Sequence, residues 1–232
     1  MSKPFHEPPI HSRHLGYGLA LPWVSAAITR FHRIEGVDGS EHVPEPGTPI
    51  ILVANHQNGL MDPLVLCSLL SRHQIHWLTR SDIFYQRVVR FFLFSFNMLP
   101  IFRRRDRLAD IGERNQRIFE VCVERLNLGA VVGLYPEGNH NGERSLRPLK
   151  RGVIDMLNLA QTTHDHLKED LVLLPVGIDY EDYGSLRRRL RYRIGAPIDW
   201  ASWIDPETGA IHANQASRAI AGALDALMVN VQ

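Results

Sequence analysis

Long apolar runs, paired cysteines and net charge are all scarce in this sequence, and each shortage excludes something. The longest charge-free run near the start, LGYGLALPWVSAAIT, covers fifteen residues at 15–29. A helical bilayer span needs about 20 residues, and Pro22 interrupts the run, so it reads as too short to cross. There are two cysteines, Cys67 and Cys122. Both lie in apolar, helix-like surroundings and read as core residues rather than a disulfide or metal ligands. Lys and Arg total 26 against 25 Asp and Glu, a net charge of +1, so global charge gives no argument for nucleic acid. The chain has 12 histidines. His6, His11 and His14 form a loose group with no second cluster at ligand spacing, so no metal is expected. The first dozen residues are polar and rich in Pro and His, without the pattern of a secretory signal. Internal repeats, low-complexity tracts and a Gly-x-Ser-x-Gly nucleophile elbow are also missing.

What is present is ordinary globular usage: 232 residues, 44% hydrophobic and 22% charged. That suffices for one domain with a sizeable core. Strand-like segments at 49–54, 75–79, 98–102, 130–135, 171–178 and 190–196 alternate with helix-like segments at 63–72, 82–91, 109–128, 150–164 and 214–229. Helical spacing is clear through Ile111, Ile118, Phe119, Cys122 and Leu126, and again through Ile220, Ala223, Leu224, Leu227 and Met228. Such alternation predicts an α/β fold, a mostly parallel or mixed sheet covered by helices. The run at 15–29 carries Tyr17 and Trp23, with Phe31, Arg30 and Arg33 at its far end. That composition suits an amphipathic, membrane-associating helix lying in the headgroup region; a helix packed on the domain is the other reading. EGVDGSEHVPEPGTP then reads as a turn-rich connector. The expected division is an N-terminal helical segment and connector at 1–47 and the main domain at 48–232. A second apolar stretch, FFLFSFNMLPIF (91–102), fits either core or a hydrocarbon lining.

Two loops draw attention. PIILVAN ends a buried strand, and PLVLCSLLSRH opens a helix with Pro63, so His56 and Asp62 fall between a strand's C-terminal end and the next helix. In α/β proteins ligands bind at that edge. Asp before a Pro at the first helical position is equally an ordinary helix cap, and Asn-Gly an ordinary turn. The second loop repeats the geometry: AVVGLYPEGNHNGERSLRPLKRG delivers Tyr135, Pro136, Glu137 and Gly138 at a strand end. Asn139, His140, Arg144, Arg147, Lys150 and Arg151 follow. Four cations in eight residues suit a phosphate-bearing substrate. A third basic cluster, Arg103, Arg104, Arg105 and Arg107, ends another strand candidate. The fourth, RRRLRYR at 187–193, reads as a solvent- or membrane-facing surface.

Together these blocks resemble the glycerolipid acyltransferases of the 1-acyl-glycerol-3-phosphate (lysophosphatidic acid) acyltransferase type. The matching pieces are Asn55-His56 with Asp62, PIFR with Arg103, YPEG through RPLKRG, and LLPVGIDY with Pro175, in family order over roughly 49–180. Two departures stand out. The family usually has four residues between His and Asp, whereas here Gln57 to Met61 make five, as in a bacterial branch with NHQN loops. After Glu-Gly the family usually continues Thr-Arg-Ser, and here Asn139, His140 and Asn141 occupy those positions.

The resemblance implies transfer of a fatty acyl group from a thioester, acyl-CoA or acyl carrier protein, to the hydroxyl of a lysophosphatidate-like acceptor in phospholipid synthesis. His56 would be the general base, a role that contributes about 10²–10⁴-fold, and Asp62 would fix its tautomer. Arg103, with Arg105 or Lys150, would hold the acceptor phosphate. Glu137, Gly138, Asn139 and His140 would complete the acceptor site, with Glu137 on a glycerol hydroxyl. No further cofactor is implied. The partners would be donor, lysophospholipid and a membrane surface, and the location the cytoplasmic face of the membrane, peripheral or monotopic. Competing readings are an acyltransferase for glycerol-3-phosphate or a lyso-aminolipid, and a non-catalytic lipid-binding module of the same fold.

Overall fold

The computed structural model describes residues 15–138, 145–182 and 184–228. In chain order the first half runs α1 (Leu15–Phe31), β1 (Arg33–Asp38), β2 (Ile50–Ala54), α2 (Met61–Leu69), β3 (Ile75–Arg80), α3 (Arg87–Ser95) and β4 (Met98–Ile101). The second half runs α4 (Ile111–Asn127), β5 (Val131–Leu134), α5 (Gly152–Thr163), α6 (Leu167–Asp170), β6 (Val172–Tyr180), β7 (Arg189–Ile194) and α7 (Ala213–Leu227).

The strands form one mixed sheet in the order β1-β7-β6-β2-β5-β3-β4. β6, β2, β5, β3 and β4 are mutually parallel. β7 pairs antiparallel with β6, and β1 pairs parallel with β7, so these two run the opposite way. The C-terminal ends of the five parallel strands therefore share one edge, as the α/β expectation requires.

β2 shows why the sheet is central. Its five residues, IILVA, are all fully buried. Ile51 and Val53 point into the core formed with α4, α5 and α7, while Ile50, Leu52 and Ala54 point into the core beneath α1 and α2. An unbroken apolar run is what a strand covered by helices on both faces needs. Pro175 sits inside β6, although proline removes a ladder donor. Its carbonyl accepts from Gly195 N at 2.9 Å, just past the last β6–β7 pair, Val176 with Ile194. The missing N–H therefore points to the side where the β7 ladder has already ended.

Two segments add to the sequence reading. β1 lies in the stretch taken as connector. It is almost wholly exposed, and its pairing shifts register between Ile34 and Val37, around Gly36 at φ 119°. The apolar stretch 91–102 divides between core and surface. Leu99 and Phe102 are core, whereas Phe91 and Phe92 on α3 stand exposed.

α1 is apolar on two faces. Tyr17 and Ile28 are buried, with Leu21 and Val24 packed beside them over the sheet. Leu15, Leu19 and Trp23, spaced one turn apart, point outward, and Trp23 is 80% exposed. Both cysteines are free and buried.

Candidate active site

The loop after β2 begins with a lock. Asn55, buried, donates from Nδ2 to the Ile178 carbonyl (2.9 Å) and accepts from Ile178 N at Oδ1 (2.7 Å). Its side chain thus extends the β2–β6 ladder one step beyond the strand and fixes where His56 starts. His56 Nδ1 lies 2.9 Å from Asp62 Oδ2. With Nδ1–H donated to the carboxylate, the neutral ring carries its lone pair on Nε2. The imidazole is 12% exposed and Asp62 wholly buried.

Asp62 does not cap α2. Its Oδ2 accepts the main-chain N–H groups of Gln57 and Asn58, each at 2.9 Å, which precede the helix. The first-turn donors go instead to Asn58, whose Oδ1 accepts from Leu60 N and Met61 N at 3.1 Å. The five-residue spacing is absorbed by this Asn58 turn. Asp62 sits within the first turn of α2 and still reaches the ring. Its other oxygen, Oδ1, accepts from the Tyr180 hydroxyl at 2.8 Å. Four donors on one buried carboxylate compensate the hydration it loses.

The imidazole is also held from its face. Tyr135 stacks on His56 with ring centroids 4.0 Å apart, and Trp77 stacks on Tyr135 at 5.1 Å. Trp77 Nε1 donates to Cys67 Sγ at 3.2 Å. This column exists because β5 carries Gly133 opposite Trp77. A Cβ there would lie 2.4 Å from the indole.

Glu137 joins the two loops. Its Oε1 accepts from His56 N (2.8 Å) and its Oε2 from Arg147 N (3.1 Å). Burial raises its carboxyl above the usual range, opposed by those two hydrogen bonds. Gly138, at φ 67°, closes the turn by donating to the Tyr135 carbonyl at 2.9 Å. On its far side Glu137 borders a cavity of about 430 Å³ that is also lined by Arg103, Arg105, Arg147 and Lys150. Among the described residues, none of these four cations has a carboxylate within ion-pair distance. Burial pushes the Arg103 guanidinium down from its usual range, and the charges of Arg105 and Arg80 add to the push. Its main chain is fixed by Asp106, whose Oδ2 accepts from Arg103 N (2.8 Å) and Ser81 Oγ (2.6 Å). Such a cluster has the charge and the donors that suit an anion.

The fold thus brings His56, Asp62, Glu137, Gly138, Arg103, Arg105 and Lys150 to one sheet edge. Asn139 and His140 lie outside the described residues. Sequence reasoning missed Tyr180, Trp77 and Gly133. The one available signal was a glycine within an apolar strand, which marks a close approach.

A buried His–Asp pair beside a cationic cavity, at the carboxyl edge of a helix-covered sheet, has the geometry a group-transfer site for an anionic substrate would need. The family model described as Acyltransferase matches residues 36–179, and the chain belongs to that family. It is similar to two chloroplastic 1-acyl-sn-glycerol-3-phosphate acyltransferases, BAT2 of Brassica napus and LPAT1 of Arabidopsis thaliana. Each is 26% identical over 143 residues, 62% of this chain. The match covers 39% and 37% of those relatives, so the chain spans about two fifths of their length. The crystal structure of the 1-acyl-sn-glycerophosphate (LPA) acyltransferase PlsC from Thermotoga maritima shares the fold. Its TM-score is 0.61 at 17% identity, over 91% of this chain and 81% of that one.

Proposed function

We propose that this protein is an O-acyltransferase. It moves a fatty acyl group from an acyl thioester, acyl-CoA or acyl carrier protein, to the hydroxyl of a lysophosphatidate-like acceptor in phospholipid synthesis. The observation that carries the reading is the His56–Asp62 pair joined through Glu137 to a cavity lined by four cations.

In this mechanism the acceptor phosphate sits among Arg103, Arg105 and Lys150, with Arg147 beside them. Its hydroxyl then approaches His56. Nε2 takes the hydroxyl proton as the oxygen attacks the thioester carbonyl. Asp62 holds the ring in the required tautomer and stabilises the imidazolium. Collapse of the tetrahedral intermediate breaks the carbon–sulfur bond, and the thiolate recovers the proton from His56. The products are one ester and one thiol. Both cysteines are buried, which favours direct transfer over an acyl-enzyme. Glu137 acts mainly by holding the His56 loop against the Arg147 segment, since both its oxygens accept main-chain donors.

The acceptor is a lipid, so the enzyme works at a membrane surface. Among the described residues no helix is long and apolar enough to cross a membrane. α1 exposes Leu15, Leu19 and Trp23, and its neighbour α3 exposes Val88, Phe91 and Phe92. Together they supply an apolar face for peripheral attachment at the cytoplasmic side.

The test is a panel of acceptors given to purified protein with an acyl thioester. Lysophosphatidate should release thiol and form one phosphatidate per thiol, while glycerol-3-phosphate and a lyso-aminolipid should be poorer. Preference for either of those acceptors would overturn the substrate assignment. No thiol release with any acceptor would point to a non-catalytic lipid-binding module.

A further inference from the structure

Tyr180 is the last residue of β6, 118 positions from Asp62 in sequence, and is 2% exposed. Its hydroxyl lies 2.8 Å from Asp62 Oδ1, the oxygen not engaged by His56. The phenol donates this hydrogen bond and the carboxylate oxygen accepts it. Asp62 is attached to α2 through a side chain that can rotate. His56 Nδ1 and the Gln57 and Asn58 amides all bond to Oδ2. Those three bonds share one oxygen, and the second oxygen is what sets the tilt of the carboxylate plane.

We propose that Tyr180 is a positioning residue: its hydroxyl pins Asp62 Oδ1 so that Oδ2 stays aimed at His56 Nδ1 and the ring keeps its lone pair on Nε2. The proposal rests on the reading of His56–Asp62 as the acid–base pair. Tyr180 is itself well placed for the task. Its ring packs against His32 at 5.4 Å, and its backbone pairs with Leu190 on β7. Burial, with the Asp62 charge adding, pushes its ionisation far above the usual phenol range, so the donor proton is retained. Without the hydroxyl, a buried oxygen loses its partner. The carboxylate then gains by turning toward other donors, and the His56 tautomer loses its support.

The experiment uses the full chain labelled with ¹⁵N-histidine, with His56→Gln to assign the ring signals. Long-range ¹H–¹⁵N correlations read the tautomer without any substrate. The wild-type protein is expected to show His56 protonated at Nδ1. Tyr180→Phe is expected to give a mixture of both tautomers. Its kcat should fall about ten- to hundredfold, and the KM for the acyl donor should stay within about twofold. Fluorotyrosine at position 180, which keeps the donor, should retain the wild-type spectrum. Tyr192→Phe is the control. Tyr192 shares a face with Tyr180, but its buried hydroxyl has no hydrogen-bond partner among the described residues, so both readouts should be unchanged.

An unaltered His56 tautomer in Tyr180→Phe overturns the proposal, whether or not the protein transfers acyl groups. A Tyr180→Phe protein that does not fold, or a Tyr192→Phe protein with the same losses, overturns it in favour of a general packing role. A protein inactive on every acceptor, yet showing the tautomer change, would refute the acyl-transfer reading and leave the positioning intact.

Discussion

The two sides of the candidate site are built on opposite plans. Around Asp62 every acceptor is taken: one carboxylate holds a ring nitrogen, two amides and a phenol, and the group has no exposure to water. Around Arg103 the cations stand beside one another on an open cavity, and burial and like charge work against the Arg103 guanidinium. The first arrangement is complete in the free protein, as a group that must hold one geometry through a reaction should be. The second is incomplete, and an incoming phosphate would complete it. On the proposed mechanism, pre-organisation belongs to chemistry and unmet charge to binding. Replacements on the two sides should therefore fail in different ways.

The largest effect is expected on the complete side. His56→Gln should lower kcat by about 10²–10⁴-fold with thermal unfolding little changed. A loss of only a few-fold would remove His56 from the chemistry. On the incomplete side, Arg103→Ala should raise the KM for the phosphate-bearing acceptor by about tenfold or more. One charge-assisted contact is lost, worth roughly 1.5–3 kcal/mol, while the donor KM should hardly move. Equal losses for donor and acceptor would move Arg103 to the donor's phosphates.

Gly133→Ala sharpens the contrast from a distance. Its Cβ would sit 2.4 Å from the Trp77 ring, and overpacking of this kind costs about 1–3 kcal/mol. Lower thermal stability and lower kcat should appear together, because Trp77 supports Tyr135 and Tyr135 supports His56. Stability lost with kcat intact would uncouple the aromatic column from the site. The smallest effect is expected farthest from both loops. Trp23→Ala, at a residue 80% exposed, should weaken sedimentation with anionic phospholipid vesicles roughly fivefold and leave turnover on micellar acceptor unchanged. Unaltered sedimentation would move the lipid contact away from α1.

The parts of this molecule legible in the sequence are those with local signatures. β2 could be read because a strand buried on both faces must be apolar throughout. The two site loops could be read because each follows such a strand. α4 announced itself by the spacing of Ile118, Phe119, Cys122 and Leu126. β1 could not be read, because its pairing partner β7 lies some 150 residues away and its own side chains are exposed. The 91–102 stretch looked uniform, yet Phe91 and Phe92 are exposed while Leu99 and Phe102 are buried. Whether Asp62 caps α2 or reaches the His56 ring was undecidable from spacing. It turned on where Asn58 points, since that side chain takes the helix donors. Tyr180 was invisible for the same reason as β1: only the β6–β2 pairing brings its hydroxyl to Asp62.

The most direct test of the central claim, that His56 and Asp62 act as one acid–base unit, is a double-mutant cycle. It uses His56→Ala, Asp62→Ala and the double replacement, read as single-turnover thiol release with lysophosphatidate. Residues that act together lose rate non-additively. The account predicts that each single replacement lowers the rate by orders of magnitude and that the double is hardly slower than His56→Ala alone. Strictly multiplicative losses, or an Asp62→Ala protein that is merely less stable and turns over normally, would contradict it.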